Sequence, residues 1–509
     1  MELSNPSQKT CRPLWRRPGT WYAAAGLLLY AILILGNINA CAGGSDSSGY
    51  LNHARLLASG RVHVPVRAIQ GLPPDRAPSY LYMPLGFKPA PHGDGIVPTY
   101  PPGLPLLVAA AAPFAGWDRA CDLVIVIHSL LGLLLVFALG RSFGLEPAWA
   151  LLGAVIAAAS PLYLTYSLQA MSDVPALAWT TAAILAAWRS SRTQAGVRSG
   201  GWALAAGAAF AMAVLIRPTN ILALAPLLIA LGLSVRRLSF FVLGGLPGAV
   251  FFALHSLAAY GHPLATGYGD ATVLFDATFV GPTLVHYLRW LPALFTPVVF
   301  LVAALPWAGG AARRPAAIMG SWTVAYLAFY CSYYCTHETW WYLRFVLPAA
   351  PALVVGGLLV AHRWAAAGKP AAWSSGRRRL VFASALIAIL AFESFWSRKL
   401  DALSVGRGEA TYPMCAEWLR QHLPKDAVVV AMQESGSIFY YTDFTFVRWD
   451  QMQGPDARRV IEVCASAHRP VYASLFDWET DDALRKRMPG AWSRIGEVRN
   501  VTIWRLDGS

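Results

Sequence analysis

The sequence predicts an all-α polytopic membrane protein of about eleven transmembrane helices, followed by a small C-terminal α/β domain outside the membrane. Three observations predict this class. The 509 residues are 56% hydrophobic and only 13% charged, with a mean hydropathy of +0.45, whereas an average soluble domain is about 25% charged. The apolar residues gather in runs close to the roughly 20-residue length that spans a bilayer. After about residue 400 the composition turns charged and mixed.

Taken in order, candidate spans fall at 21–41, 121–140, 148–167, 174–188, 202–216, 219–234, 238–259, 286–308, 316–335, 345–362 and 380–396. The first follows Lys9, Arg12, Arg16 and Arg17. It is too long for a cleaved signal core of roughly 7–15 residues, so it reads as a retained helix with 1–20 in the cytoplasm. With that start, the inside connections carry Arg141; Arg189, Arg192 and Arg198; Arg236 and Arg237; Arg313 and Arg314; and Arg363, Lys369, Arg377, Arg378 and Arg379. The short outside connections carry almost none, the exceptions being Arg217 and Arg344. This asymmetry orients the chain in a cell inner membrane with the N-terminus cytoplasmic. It also explains the net charge of +14 without nucleic acid.

Pro101 to Gly116 is apolar but short, with proline at both ends. Counting it as a span would reverse every later helix and expel the Arg clusters. It is therefore expected as an interfacial or re-entrant helix, inside a large first outside loop, 41–120. Of 27 Asp and Glu, only Glu2 and Glu146 then fall inside. The segment 398–509 holds a helix-like stretch, Glu409 to Leu423, and short strands at Ala427–Val430, Val471–Leu475 and Val498–Arg505. An odd number of spans puts this domain on the extracytoplasmic side. The seven Cys show no metal-ligand spacing. Cys331 and Cys335 suit helix packing, and Cys415 with Cys464 could close a disulfide in an oxidising compartment.

Several outside residues carry chemistry. Asp46 lies in Gly43-Gly44-Ser45-Asp46-Ser47-Ser48-Gly49, just ahead of an amphipathic stretch, Tyr50 to Ser59; it reads as a functional acid, with a helix cap as the bland alternative. Asp173, before Pro175, suits a helix start, yet lies at the same membrane face as Asp46. Arg217 sits beside Pro218 between two short spans, either facing an outward cavity that takes phosphate or snorkelling. His337-Glu338-Thr339-Trp340-Trp341-Tyr342-Leu343-Arg344 is a dense polar and aromatic cluster: Arg344 suits a phosphate, and the aromatics suit a sugar or lipid. The bland alternative is an aromatic belt with Glu338 paired to Arg344. A Gly-rich loop around Tyr268 is either a ligand lid or a turn. No P-loop, nucleophile elbow or HExxH is present.

These features together resemble the GT-C superfamily of membrane glycosyltransferases, near the protein O-mannosyltransferase and aminoarabinose-transferase group. The resemblance covers about 20–360. Four places carry it: Asp46 with Tyr50-Leu51-Asn52-His53-Ala54-Arg55; Tyr100-Pro101-Pro102-Gly103-Leu104-Pro105-Leu106-Leu107; Met171-Ser172-Asp173-Val174-Pro175; and Trp341-Tyr342-Leu343-Arg344-Phe345-Val346-Leu347-Pro348. It implies a polyprenyl-phosphate sugar donor, Asp46 as catalytic base, Asp173 as second loop acid and Arg344 as a donor-phosphate contact. From the residues themselves, Arg217 is expected with Arg344 to bind the donor phosphate or lipid, and Tyr50, His53, Arg55, His337, Glu338, Trp341 and Tyr268 to bind substrate. Many members follow the first acid with a second, where this chain has Ser47; a divalent metal is thus compatible with the resemblance but not required by the sequence. The expected partners are the lipid-linked donor, membrane lipid and a cell-envelope glycan, lipid or protein acceptor. The competing reading is a transporter or flippase for a lipid-linked saccharide, which the scarcity of mid-helix acids disfavours.

Overall fold

The computed structural model describes residues 18–78, 80–91, 93, 95–308, 310–367 and 375–508. Residues 1–17 of the expected cytoplasmic segment, and Lys369, lie outside them. Helix α1 (Pro18–Leu35) leads into a long connection holding α2 (Ser45–Ala58), a two-stranded ribbon of β1 (Phe87–Pro89) and β2 (Ile96–Pro98), and α3 (Gly103–Ala115). The apolar part continues through α4 (Ala120–Ser142), α5 (Pro147–Ala159), α6 (Pro161–Tyr166), α7 (Asp173–Arg192), α8 (Val197–Ile216) and α9 (Leu224–Leu231). It ends with α10 (Val235–Tyr260), α11 (Val280–Phe295), α12 (Arg313–Cys331), α13 (Ala350–Ala367) and α14 (Ser375–Lys399).

Among the described residues, five helices are long and apolar enough to cross a membrane, or six if a bent pair counts as one. Other expected spans are shorter or interrupted, for local reasons. The stretch 148–167 breaks at Ser160, whose hydroxyl caps Tyr163 N–H ahead of Pro161. The stretch 219–234 opens as a 3-10 turn, Pro218–Ala223, before α9. The continuous helix expected over 286–308 is corrected: α11 and the 3-10 segment Pro297–Trp307 meet at 110°. Pro297 lacks an N–H donor, and Thr296 before it takes a left-handed φ of 64°.

Helices α10 and α14 lie at the periphery, with only 11% and 6% of their apolar windows buried. Leu243, Leu246, Leu254 and Leu257 project from α10 unpacked. So large an apolar surface is the mark of lipid contact. Between α8 and α10 small residues bring the backbones together: a Cβ on Gly207 would collide with the Phe241 carbonyl, and one on Gly244 with the Leu204 carbonyl.

The bundle has two distinct ends. At one, Trp188 donates to Ser142 O (3.1 Å), Arg314 to the carbonyls of Ile229 (3.0 Å) and Ala230 (2.9 Å), and His362 faces Glu146 at 3.7 Å. At the other, Ala40 N–H donates to Asp122 (2.8 Å) and Arg217 reaches Asp173. Both ends of α3 belong to this second end. Gly103 presses on the backbone of Ile216, and Ala120–Asp122 adjoin Ala40. At 1.5 Å per residue α3 is about 20 Å long, short of the ~30 Å hydrocarbon core.

The C-terminal region contains α15 (Val405–Glu409), α16 (Thr411–His422), α17 (Ser435–Tyr441) and α18 (Gly454–Ser466) around a mixed sheet. Its strands are β3 (Val428–Val430), β4 (Thr445–Val447), β5 (Val471–Phe476), β6 (Trp492–Val498) and β7 (Val501–Leu506), in the order β4-β3-β5-β7-β6. The strand expected over Val498–Arg505 is instead a hairpin, in which Val498 pairs with Val501. Alternation along β3 sends Val429 to a cluster with Phe439 and Phe446, and Val428 and Val430 to one with Val447 and Val460. The long first connection enters both clusters, with Leu56, Phe87 and Ile96 in one and Ile69, Leu72 and Leu81 in the other. Arg67 adds bonds to the carbonyls of Thr442 (2.6 Å) and Phe439 (3.0 Å). Of the two readings left open for Cys415 and Cys464, the disulfide does not hold: both are free, and they lie in different clusters.

Candidate active site

Helix α2 starts at Ser45 after Gly44, and Asp46 sits within its first turn, where a negative charge favours the helix dipole. Asp46 does not cap the helix. Its carboxylate accepts from Arg344 Nη2 at 2.7 Å. A second pair lies beside this one: Arg217 Nη1 donates to Asp173 Oδ1 at 2.5 Å and to the Arg344 carbonyl at 3.2 Å. Ser172 and Asp173 also leave α7 without a side-chain cap. Ser172 takes a hydrogen bond from Tyr50 Oη (2.9 Å), while Asp173 is held by Arg217. Four segments distant in sequence are thus joined through two arginines.

The two pairs differ in access. Asp173 is 1% exposed and Arg217 12%, and neither is among the residues lining the cavity beside Asp46. Asp46 and Arg344, at 21% and 15%, open onto a cavity of about 510 Å³. Its walls include Ser47, Tyr166, Met171, Trp341, Glu409 and Gln433. Burial opposes ionisation of Asp46, but the Arg344 guanidinium and hydrogen bonds from Tyr100 and Arg344 hold its carboxyl below the usual range. Tyr100 Oη also shares a hydrogen bond with Ser45 at 2.8 Å.

The remaining expected residues scatter around this centre. Tyr50 packs its ring on Tyr100 at 5.1 Å, and Tyr268 meets Tyr100 edge-on at 6.2 Å. Trp341 lines the cavity, its carbonyl held by Tyr166 Oη at 2.9 Å. His53 is wholly buried with its Nε2 at 3.0 Å from His255 Nε2, away from the cavity. Arg55 donates to the Tyr440 carbonyl at 2.6 Å and lies on that ring, tying α2 to the C-terminal region. His337 stacks on Phe279 at 5.4 Å, and Glu338 is exposed; Arg344 pairs with Asp46 rather than with Glu338. Tyr166, Glu409, Tyr412 and Gln433 are cavity residues that sequence reasoning missed, because only the docking of the C-terminal region brings three of them here. Among the described residues, no three His, Cys, Asp or Glu stand together as a metal cage.

Solved structures share this fold. ArnT from Cupriavidus metallidurans bound to undecaprenyl phosphate superposes with a TM-score of 0.62 at 13% identity, over 96% of this chain and 98% of that one. The chain has the GT-C fold. The Archaeoglobus fulgidus oligosaccharyltransferase AglB, in complex with an inhibitory peptide and a dolichol-phosphate, matches this GT-C fold at TM-score 0.54 and 12% identity, over 91% of this chain and 70% of that one. The mycobacterial arabinofuranosyltransferase AftD matches at 0.53 and 12%, over 96% of this chain and 40% of that one. Within the GT-C fold, residues 100–257 match the family described as dolichyl-phosphate-mannose-protein mannosyltransferase. No curated protein sequence matches the chain.

Proposed function

We propose that this protein is a glycosyltransferase that moves a sugar from a polyprenyl-phosphate donor to a hydroxyl-bearing acceptor at the outer face of the plasma membrane. The observation that carries the reading is the Asp46–Arg344 pair opening onto a cavity at one end of an apolar helix bundle. A lipid-linked donor keeps its tail in the bilayer and its phosphate at the surface, where Arg344 stands. The likeness to ArnT bound to undecaprenyl phosphate and to AglB with a dolichol-phosphate supports this donor class.

In the reaction the acceptor oxygen attacks the anomeric carbon, and the bond from that carbon to the phosphate oxygen breaks. The electron pair leaves with the phosphate, whose charge Arg344 stabilises. Asp46 takes the acceptor proton. The ground-state pairing serves this sequence. A phosphate engaging Arg344 withdraws the cation from Asp46 and makes its carboxylate a stronger base. Asp173 acts through Arg217, which holds the Arg344 carbonyl and so the segment that presents the guanidinium. In this topology the N-terminus is cytoplasmic, and 398–509 is extracytoplasmic.

Asp46→Asn tests the reading in full-length protein. Transfer is expected to fall by about 10²- to 10⁴-fold, with thermal stability kept within a few degrees. Full transfer in this variant would remove the mechanism.

A further inference from the structure

The cavity has two chemically different ends. At one, Arg344 is the sole cation among its lining residues, bonded to Asp46. At the other, beyond Asp46, the wall comes from the C-terminal region. Ser47 Oγ contacts Glu409 Oε2 at 3.5 Å, and Gln433 Nε2 donates to Tyr412 Oη at 2.9 Å. The fold keeps these groups close by leaving out side chains: a Cβ on Gly43 would collide with Glu409 Oε2, and one on Gly44 would stand 3.0 Å from Gln433 Nε2. Glu409 forms no ion pair among the described residues. Burial, reinforced by the Asp46 charge, pushes its carboxyl up to about 7.

Such a wall offers donors and acceptors without positive charge, which matches sugar hydroxyls. At this end a phosphate or carboxylate would meet the Glu409 carboxyl with no cation beside it, Arg344 being bonded to Asp46. We propose that Glu409, Tyr412 and Gln433 bind the acceptor, and that this acceptor is a neutral carbohydrate presenting a hydroxyl group. The proposal rests on the transferase reading above. It makes the C-terminal region a functional part of the active site.

The test uses cells deleted for the chain and complemented with full-length variants. Envelope material is separated into neutral glycan and phosphate-bearing lipid fractions, and the sugar lost on deletion is located by mass spectrometry. Binding of undecaprenyl phosphate and thermal unfolding are measured on each purified variant. The missing sugar is expected on a hydroxyl of the neutral glycan. Glu409→Ala and Gln433→Ala are expected to reduce it about 10- to 100-fold, with undecaprenyl phosphate binding and unfolding temperature unchanged; Glu409→Gln, which keeps the shape and a hydrogen-bonding head, should retain more than Glu409→Ala. A sugar found on a phosphate group overturns the proposal. So does wild-type transfer in Glu409→Ala, or loss of undecaprenyl phosphate binding together with transfer, which would make Glu409 a structural residue. Full transfer in Asp46→Asn is a separate signature and removes the transferase reading itself.

Discussion

Asp173 and Arg217 form a buried charge pair beside the cavity that Asp46 and Arg344 line. Their mutual bond leaves no uncompensated charge, and the second Arg217 bond, to the Arg344 carbonyl, anchors the arginine that does reach the cavity. Removing one partner of such a pair costs about 3–5 kcal/mol, because the other charge stays buried alone. Arg217→Ala should therefore lower the unfolding temperature sharply, and adding Asp173→Asn should restore much of it. Additive losses in the double variant, measured by thermal unfolding in detergent, would contradict this coupling. Glu434 makes a different prediction. It is 1% exposed, and burial, helped by Glu479, pushes its carboxyl from the ordinary 4.5 to about 7 against bonds from Ser474 and Cys415. The folded state thus resists losing this proton, so stability falls as pH rises from 4.5 through 7. Glu434→Gln should raise the unfolding temperature at pH 8 and change it little at pH 4.5; an equal effect at both would remove ionisation as the cause.

At the scale of elements, the contact of α8 with α10 depends on two glycines. In lipid there is no hydrophobic force between helices, so close backbone packing carries the association. Gly207→Leu should separate the pair and lower the yield of folded protein, whereas Gly201→Leu, where no atom lies within 4 Å of the added Cβ, should not. Much of this level was legible in the sequence. Apolar runs located the helices, and proline marked the break beside Arg217. The bend at Thr296 was not legible, because Pro297 in an apolar run marks a kink and a break alike. Asp46 and Asp173 do stand in the first turns of α2 and α7, but the capping alternative does not hold for either. Capping is local, and both carboxylates are taken by arginines 298 and 44 residues away. Tyr100 stood inside a motif that the sequence singles out. Glu409, Tyr412 and Gln433 carried no signal, since they reach the cavity only through a shared core between 41–120 and the C-terminal sheet.

That shared core gives the whole molecule its organisation. Residues of the first long connection complete the hydrophobic clusters on both faces of the C-terminal sheet, so the two segments pack around one shared core. Ending the chain after Lys399 should expose both clusters and abolish transfer; an active truncated core would show that the C-terminal region is accessory. The proposed orientation takes α3 to have both ends at the Asp46 side. Reporter fusions after Ala120 and after Arg141 are expected to read outside and inside, and the reverse order would contradict this orientation. The most direct test of the account is a structure of the full-length protein with undecaprenyl phosphate. The account predicts the phosphate on Arg344, with Asp46 released from its 2.7 Å bond and facing the cavity; a phosphate bound elsewhere, with the Asp46–Arg344 pair intact, would contradict it.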